Sequence, residues 1–510
     1  MRLTRSDIVI ALLFVIALVF RLFYFFEYHG FLEFSHPTVD ALYHHLSAMA
    51  IASGALTAAE PFFRAPLYNY FLGVIYWPTG NDIALARALQ LLIGSFTPLL
   101  VFLIGRKVFD RRCALVAALL ALLCGDLVYF EGELLLEFLA TTLILLTWLA
   151  CLSHRSTGRF GWLYLAGFLA GLAIITRPNM VIMAPMLLWL LYQNHKSSHR
   201  SKLVSSVRLL AMMLIPLVMV LFHNLTRDDP ALAIATQGGI NFYLGNNLAA
   251  DGVSAVMPGK LGYNWQYQGI KHLAEQQIGE RLTPSQISSF YYRKAVSEIL
   301  AEPFHWLSLL LKKFYLFFSG ADISNNRNLI AFKSQFTTLK FLPIGMWLLG
   351  AVGIIGMITS WRRHAAARTL AAFVLLYALT FALFFVNSRF RLPTLPLLAL
   401  FSGYTLVSLY DMVQKRSLKR FALIATGCIA LLLLSSANIY RLDFDNRRQA
   451  HYSKGNLLLA TGDNHSAIAS YLASLASDNP LKQVHLNLGI AHLRLGNLDS
   501  ARNYFLIEDS

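Results

Sequence analysis

Long apolar stretches separated by short polar intervals dominate the first 440 residues. They fall near 8–26, 83–105, 113–130, 134–153, 160–177, 179–193, 207–224, 340–360, 369–387, 393–412 and 421–440. The hydrocarbon core of a bilayer needs roughly 20 mostly apolar residues per helix, so the pattern predicts eleven spans. The 160–177 and 179–193 pair is short and also reads as one bent hairpin. Arg2 and Arg5 precede the first stretch as they would in a signal peptide. Phe23, Tyr24, Phe25 and Phe26 stand where small residues would mark a cleavage site, so this segment reads as a retained anchor.

The polar intervals carry an orientation. With residue 1 on the cytoplasmic side, segments 1–7, 106–112, 154–159, 194–208, 361–368 and 413–420 face inward. Together they hold 19 Lys/Arg and only two acids, Asp7 and Asp110. Basic residues accumulate in cytoplasmic loops, and every short loop obeys under this one assignment. Residues 27–82, the long 225–338 segment and the C-terminal tail then lie outside. The apolar run 304–318 has Lys312 and Lys313 at its middle, where a span would be penalised. It reads as a helix on the outer surface, because counting it as a span would place Arg362, Arg363, Lys415 and Lys419 outside.

Composition agrees. Hydrophobic residues make up 56% and charged residues 14%, against about 25% charged in soluble domains, and the mean hydropathy is +0.54. A water-soluble enzyme, a disordered chain and a disulfide scaffold are excluded. The net charge of +16 is explained by the inward loops and does not call for nucleic acid. Cys113, Cys124, Cys151 and Cys428 lie in or beside apolar runs with no metal spacing.

From about residue 443 the apolar runs stop, which divides the chain into a membrane domain, 1–442, and a tail, 443–510. Within the tail two segments match at an offset of 34: Gly455 with Gly489, Gly462 with Gly496, Asp463 with Asn497, Ala467 with Ala501, and Tyr471 with Phe505. That is the tetratricopeptide period. Small residues facing aromatics let paired antiparallel helices pack closely. About one and three-quarter repeats are too few for an independent solenoid, which wants about three, so the tail is expected to lean on the membrane domain or on a protein partner.

The charges that orientation does not explain carry the candidate chemistry. Arg64, Arg87, Arg177, Lys312, Lys313, Arg389 and Arg391 fall on the outer face or at outer span ends. Arg177 and the Arg389/Arg391 pair lie in tight connections, ITRPN and NSRFRLP, each followed by proline. Cations at membrane depth face a cavity and meet an anion, and arginine forks suit phosphate oxygens. A bound phosphate and pairing with nearby carboxylates both remain open for them. Among the acids, Asp40 shares a helical face with Tyr43 and His44 in the first outer loop, with a helix N-cap as its plain alternative. Glu131, Glu133 and Glu137 follow at the next outer turn, and Glu137 falls inside an apolar helix and needs a partner. His36, His44 and His45 make a poor metal site, because adjacent histidines diverge on a helix and Pro37 breaks the spacing. Asn241, Tyr243, Asn246 and Asn247 offer amides and an aromatic face to sugar hydroxyls, or form a Gly/Asn-rich turn.

The order of these motifs resembles a known family. Asp40 and Tyr43 in the first outer loop are followed by the Arg64–Tyr68 turn, RAPLY, the RALQLLIGSFTPLLVFLIGRKVFDRRCALVAALLALL hairpin and the GELLLE turn. TQGGINFYLGNN, the surface helix ending LLLKKFYLFF, and RFRLPTLP come later. Over roughly residues 5–440 this is similar to the GT-C membrane glycosyltransferases, in the branch of protein O-mannosyltransferases and lipid A aminoarabinose transferases. The resemblance implies an all-α polytopic fold of the GT-C type, about 11 spans with outer juxtamembrane helices. It also implies a polyprenyl-phosphate sugar donor, an outward-facing cavity, and Asp40 as catalytic carboxylate. The family often has two adjacent acids there, whereas this chain has Val39–Asp40. Glu133 and Glu137 match a second acidic motif approximately.

The residues support the same chemistry. Sugar transfer needs a base for the acceptor proton and help for the departing phosphate. Asp40, with Glu133 and Glu137, supplies the carboxylates. Tyr43, Arg64, Tyr68, Arg177, Lys312, Arg389, Arg391 and Asn246 are the candidate substrate-binding residues. No organic cofactor is implied, and a divalent metal is left open. The expected partners are a polyprenyl-phosphate sugar, a glycan, lipid or protein acceptor, the bilayer, and a protein for the tail, with the active site on the periplasmic side of a bacterial inner membrane. The alternatives are a polymerase or ligase moving a lipid-linked glycan, a transporter or flippase, and an envelope scaffold. A transporter would want broken helices at mid-membrane and related halves, and a scaffold leaves the outer carboxylates and arginines unexplained.

Overall fold

The computed structural model describes residues 5–55, 60–193, 198–227, 229–255, 257, 267–325, 327–443, 447–476 and 483–509. Among them every named element is helical. Seven helices are long and apolar enough to cross a membrane: Ile8–His29, Ile83–Val108, Glu137–Thr157, His199–Leu225, Ala365–Ala382, Ser388–Gln414 and Leu418–Ser436. Phe160–Thr176, Pro178–Tyr192 and Met346–Ser360 are shorter apolar helices. The protein is an integral membrane protein on this ground.

The segment expected near 113–130 is helical but divided into Arg111–Leu122 and Gly125–Gly132. The break has a partner. Gly125 N–H donates to the Ile344 carbonyl at 3.0 Å, and Ile344 N–H to the Leu123 carbonyl at 3.1 Å, so a second chain segment meets the backbone groups that the interruption frees. The eleven expected segments are thus all helical, while seven qualify by length as spans.

Helices approach closely where side chains are smallest. Gly167 and Gly171, one turn apart, lie against the backbone carbonyls of Leu209 and Met213. Any Cβ there would push Phe160–Thr176 off His199–Leu225, a small-residue contact of the kind that packs helices in lipid.

Between the spans lie shorter helices that build the outer face. Val39–Ala52 packs on Leu67–Thr79, and Gly238–Asn246 on Pro284–Ala301. The latter begins with a capping box of Thr283 and Gln286. The run expected as a surface helix is Pro303–Phe318. It exposes Phe304, Leu307 and Leu311 and buries Leu309, Lys313 and Leu316. One apolar face is therefore left for the bilayer boundary while the other meets protein.

The tail has its own small core, built from Tyr452, Leu459, Ala467, Tyr471, Val484, Leu488 and Ala491. Its helices are Arg447–Thr461, Asn464–Leu475, Val484–Arg494 and Leu498–Asp509. The aligned glycines do what their spacing suggests. A Cβ on Gly455 would sit 2.6 Å from the Tyr471 ring, and one on Gly489 would strike Phe505. Gly462 and Gly496 turn the chain at φ 88° and 78°, conformations in which glycine carries no steric penalty.

Candidate active site

The first outer loop enters its helix through a strained residue. Val39 has φ 53°, a left-handed conformation that costs a β-branched residue on the order of 1–3 kcal/mol. The next residue is Asp40, buried on the inward face of Val39–Ala52. The N-cap position belongs to Thr38, which makes no side-chain cap, so capping is not what Asp40 does. Its carboxylate takes Arg64 Nη1 on Oδ1 at 2.6 Å and Arg389 Nη1 on Oδ2 at 2.6 Å. Burial disfavours its charge, but the guanidinia of Arg64 and Arg389 outweigh that and hold the carboxyl far below the usual carboxylate range.

Arg389 joins this pair to a second one. Its Nε lies 3.7 Å from Glu137 Oε1, which also receives Arg177 Nη2 at 3.0 Å. Glu137 begins the helix Glu137–Thr157, and Arg177 ends Phe160–Thr176. The Arg177 guanidinium lies 4.9 Å and 4.6 Å from the ring centroids of Phe381 and Phe390. Three arginines thus surround two carboxylates, an excess of one positive charge. Arg64 Nε, Arg177 Nη1 and Glu137 Oε2 are buried with no hydrogen-bond partner. The partner that the apolar setting of Glu137 demanded is therefore a pair of arginines from distant turns.

Arg64 is held from behind. Its segment is clasped by Thr236 N–H on the Phe62 carbonyl at 3.0 Å and by Gln237 N–H on the Phe63 carbonyl at 3.1 Å. The fully buried Asn224 accepts the Phe62 N–H at 2.9 Å and donates to the Ala233 carbonyl at 2.6 Å. Tyr43 places its ring 4.5 Å from the Arg64 guanidinium. His44 Nδ1 meets Asn69 Oδ1 at 2.6 Å, and burial pushes the imidazole down to about 4, so His44 is neutral at pH 7.

A cavity adjoins Arg389, walled by Thr38, Tyr129, Glu133, Ser324 and Arg327. Glu133 accepts the Tyr28 hydroxyl at 2.9 Å and lies 3.4 Å from Arg327. Glu131 turns the other way, onto Arg21 at 2.7 Å. Tyr68 donates to Gln90 at 2.6 Å, and Gln90 caps the carbonyls of Glu131 and Glu133. Tyr68 therefore braces the acidic turn. Arg87 is likewise committed, to the carbonyls of Phe34, Glu33 and Gly132.

Several expected binding residues do not converge on Asp40. Arg391 gives its guanidinium to the carbonyls of Leu316, Ser319 and Ala321 and to Ser388 Oγ, so it fastens the end of Pro303–Phe318 to the arginine turn. Lys312 lies 5.2 Å from the Tyr440 ring centroid. Lys313 Nζ donates to Gly245 O, Phe384 O and Asn246 Oδ1 at 2.8–2.9 Å, and burial brings its ammonium down to about 7. Asn246 also accepts Trp306 Nε1 at 2.9 Å. TQGGINFYLGNN is mostly helix, not a turn. Tyr243 bonds Glu298, and Asn247 bonds the carbonyls of Tyr243 and Leu244.

Sequence reasoning passed over Arg327, Tyr28, Arg21, Gln90 and Asn224. Arg327 carried a usable signal, as an arginine in an outer segment that orientation does not require. Among the described residues, no group of three His, Cys, Asp or Glu side chains is placed to hold a metal ion.

Residues 63–223 match the family described as dolichyl-phosphate-mannose-protein mannosyltransferase, and residues 449–480 match the tetratricopeptide repeat. The motif order and these matches agree: residues 63–223 of this polytopic membrane protein are similar to that mannosyltransferase family, and its tail is similar to a tetratricopeptide repeat. Among solved structures, ArnT from Cupriavidus metallidurans bound to undecaprenyl phosphate is similar at 16% identity and TM-score 0.45, over 96% of this chain and 78% of that one. The oligosaccharyltransferase AglB from Archaeoglobus fulgidus, in complex with an inhibitory peptide and a dolichol-phosphate, is similar at 14% identity and TM-score 0.44, over 97% of this chain. The present chain spans 58% of the AglB length. No curated protein sequence matches it.

Proposed function

We propose that the protein transfers a hexosyl or pentosyl group from a polyprenyl-phosphate donor to an acceptor hydroxyl, with Asp40 as the catalytic carboxylate. The supporting observation is the Arg64–Asp40–Arg389–Glu137–Arg177 cluster, with its excess positive charge and its unspent buried donors on Arg64 and Arg177. Such a cluster suits a phosphate monoanion or dianion. In the reaction the acceptor oxygen attacks the anomeric carbon, and its proton passes to the Asp40 carboxylate. The bond from the anomeric carbon to the phosphate oxygen breaks, and the electron pair leaves on the polyprenyl phosphate. Arginines aimed at that oxygen stabilise the developing charge.

A carboxylate clasped by two guanidinia is a weak base. A donor phosphate that draws on Arg64 and Arg389 loosens this clasp and raises the basicity of Asp40, so donor binding arms the base. We place this chemistry on the periplasmic face of a bacterial inner membrane, following the distribution of basic loops. The 443–510 tail is then on the same side, as a module for a protein partner. Labelled sugar supplied as a polyprenyl-phosphate donor pool should reach an envelope fraction with wild type and not with Asp40→Asn. Equal labelling by both, with the protein inserted, would refute Asp40 as base. No labelling by either across several donor sugars would favour the flippase reading.

A further inference from the structure

About 30 Å along the axis of Glu137–Thr157 from Glu137, taking the helical rise per residue, lies a second cavity. The last turn of that helix, the start of Phe160–Thr176, the end of Met183–Tyr192 and the first turns of His199–Leu225 enclose about 120 Å³. A water molecule needs about 10–15 Å³ by the same measure, so a phosphate group fits.

The wall is basic and hydroxylic: His154, Arg155, Ser201, Lys202 and Ser205, with Phe160 at one side. Arg155 donates to the Leu190 carbonyl at 3.2 Å, which leaves further guanidinium donors. The Arg208 guanidinium lies 4.2 Å from the Phe160 ring centroid and adds a third fixed cation beside the wall. Among the described residues no carboxylate pairs with Arg155, Lys202 or Arg208, whereas Arg112 at the same end of the bundle is taken by Asp411 at 2.9 Å. Exposed Trp162, Leu203 and Val207 lie on the same two helices, Phe160–Thr176 and His199–Leu225, and present an apolar surface to lipid chains.

We propose that this cavity binds the phosphate headgroup of an anionic phospholipid, with the acyl chains lying along Phe160–Thr176 and His199–Leu225. Basic pockets between membrane helices on the basic-loop side recognise such headgroups. The shared chemistry is a phosphate held by Arg155 and Lys202, and the lipid is favoured over free phosphate because the apolar flanks continue the site. The inference is independent of any sugar transfer at the outer face.

The test uses the full-length protein in nanodiscs of phosphatidylcholine, with and without a minority of phosphatidylglycerol, reading lipid retained in native mass spectrometry and the thermal midpoint. Phosphatidylglycerol should be retained selectively and should raise the midpoint. Lys202→Gln should cut retention about fivefold, the weight of one basic residue at a membrane surface. Arg155→Gln should do the same, while Lys419→Gln, at an exposed lysine in the first turn of Leu418–Ser436, should change nothing. Equal loss in all three variants would reduce the effect to general surface charge and overturn the site. Stabilisation by inorganic phosphate that depends on Lys202, without selective retention of phosphatidylglycerol, would overturn the lipid assignment.

Discussion

Asp40→Asn should abolish transfer and tighten donor-lipid binding at once. The carboxylate receives two guanidinium bonds at 2.6 Å. Hydrogen bonds to charged groups contribute about 1.5–3 kcal/mol each, and neutral ones about 0.5–1.5. A donor phosphate must share these arginines, so it competes with Asp40. Replacing the carboxylate by an amide weakens that competition by about 1.4 kcal/mol when one bond is exchanged, which corresponds to about tenfold in affinity. Loss of the base should lower turnover by about 100- to 10,000-fold. The assay pairs direct binding of polyprenyl phosphate to purified protein with single-turnover transfer. Arg389→Gln provides the contrast, since it should weaken binding by at least about tenfold. If Asp40→Asn weakened lipid binding in parallel with transfer, Asp40 would serve to hold the arginines and would not compete with the phosphate.

Three further outcomes follow from the geometry. Asn224→Ala strands the Phe62 N–H and the Ala233 carbonyl; each unsatisfied group costs about 1–3 kcal/mol, so thermal denaturation should show a marked loss of stability, and because Arg64 rides on that segment, turnover should fall as well. Gly489→Ala drives a methyl into Phe505 and should cost about 1–3 kcal/mol of tail stability, seen as faster proteolysis of the tail with transfer in the membrane domain unchanged. His44, buried and brought from 6.5 to about 4, takes up its proton first in the unfolded chain. Its contribution is therefore complete above pH 6.5 and is lost as pH falls toward 4, by at most about 3 kcal/mol; His44→Gln should flatten the stability profile in that window.

The sequence carried the helices because span length and apolar content are properties of the chain itself. The division at Leu123–Cys124 was hidden because the groups that satisfy it come from Pro343 and Ile344, more than two hundred residues away. The NSRFRLP turn shows the same limit at the site. Arg389 and Arg391 are two residues apart in one turn, yet one meets Asp40 and the other the carbonyls at 316–321. Which arginine faces the carboxylate is decided by how Pro303–Phe318 packs on the turn, and no local pattern encodes that. Motif order singles out Asp40 as a candidate. Its two partners lie 24 and 349 residues downstream, and only the fold brings them together. Asn246 looked like a ligand group because its amide suits sugar hydroxyls; here that amide is taken by the Phe242 and Leu383 carbonyls and by the buried Lys313.

The most direct measurement of the central claim is a cryo-EM structure of the full-length protein with polyprenyl phosphate. The account predicts phosphate oxygens within about 3 Å of the Arg64 and Arg389 guanidinia, with Asp40 released from at least one of them. A phosphate seated elsewhere, with the Arg64–Asp40–Arg389 clasp unchanged, would contradict it.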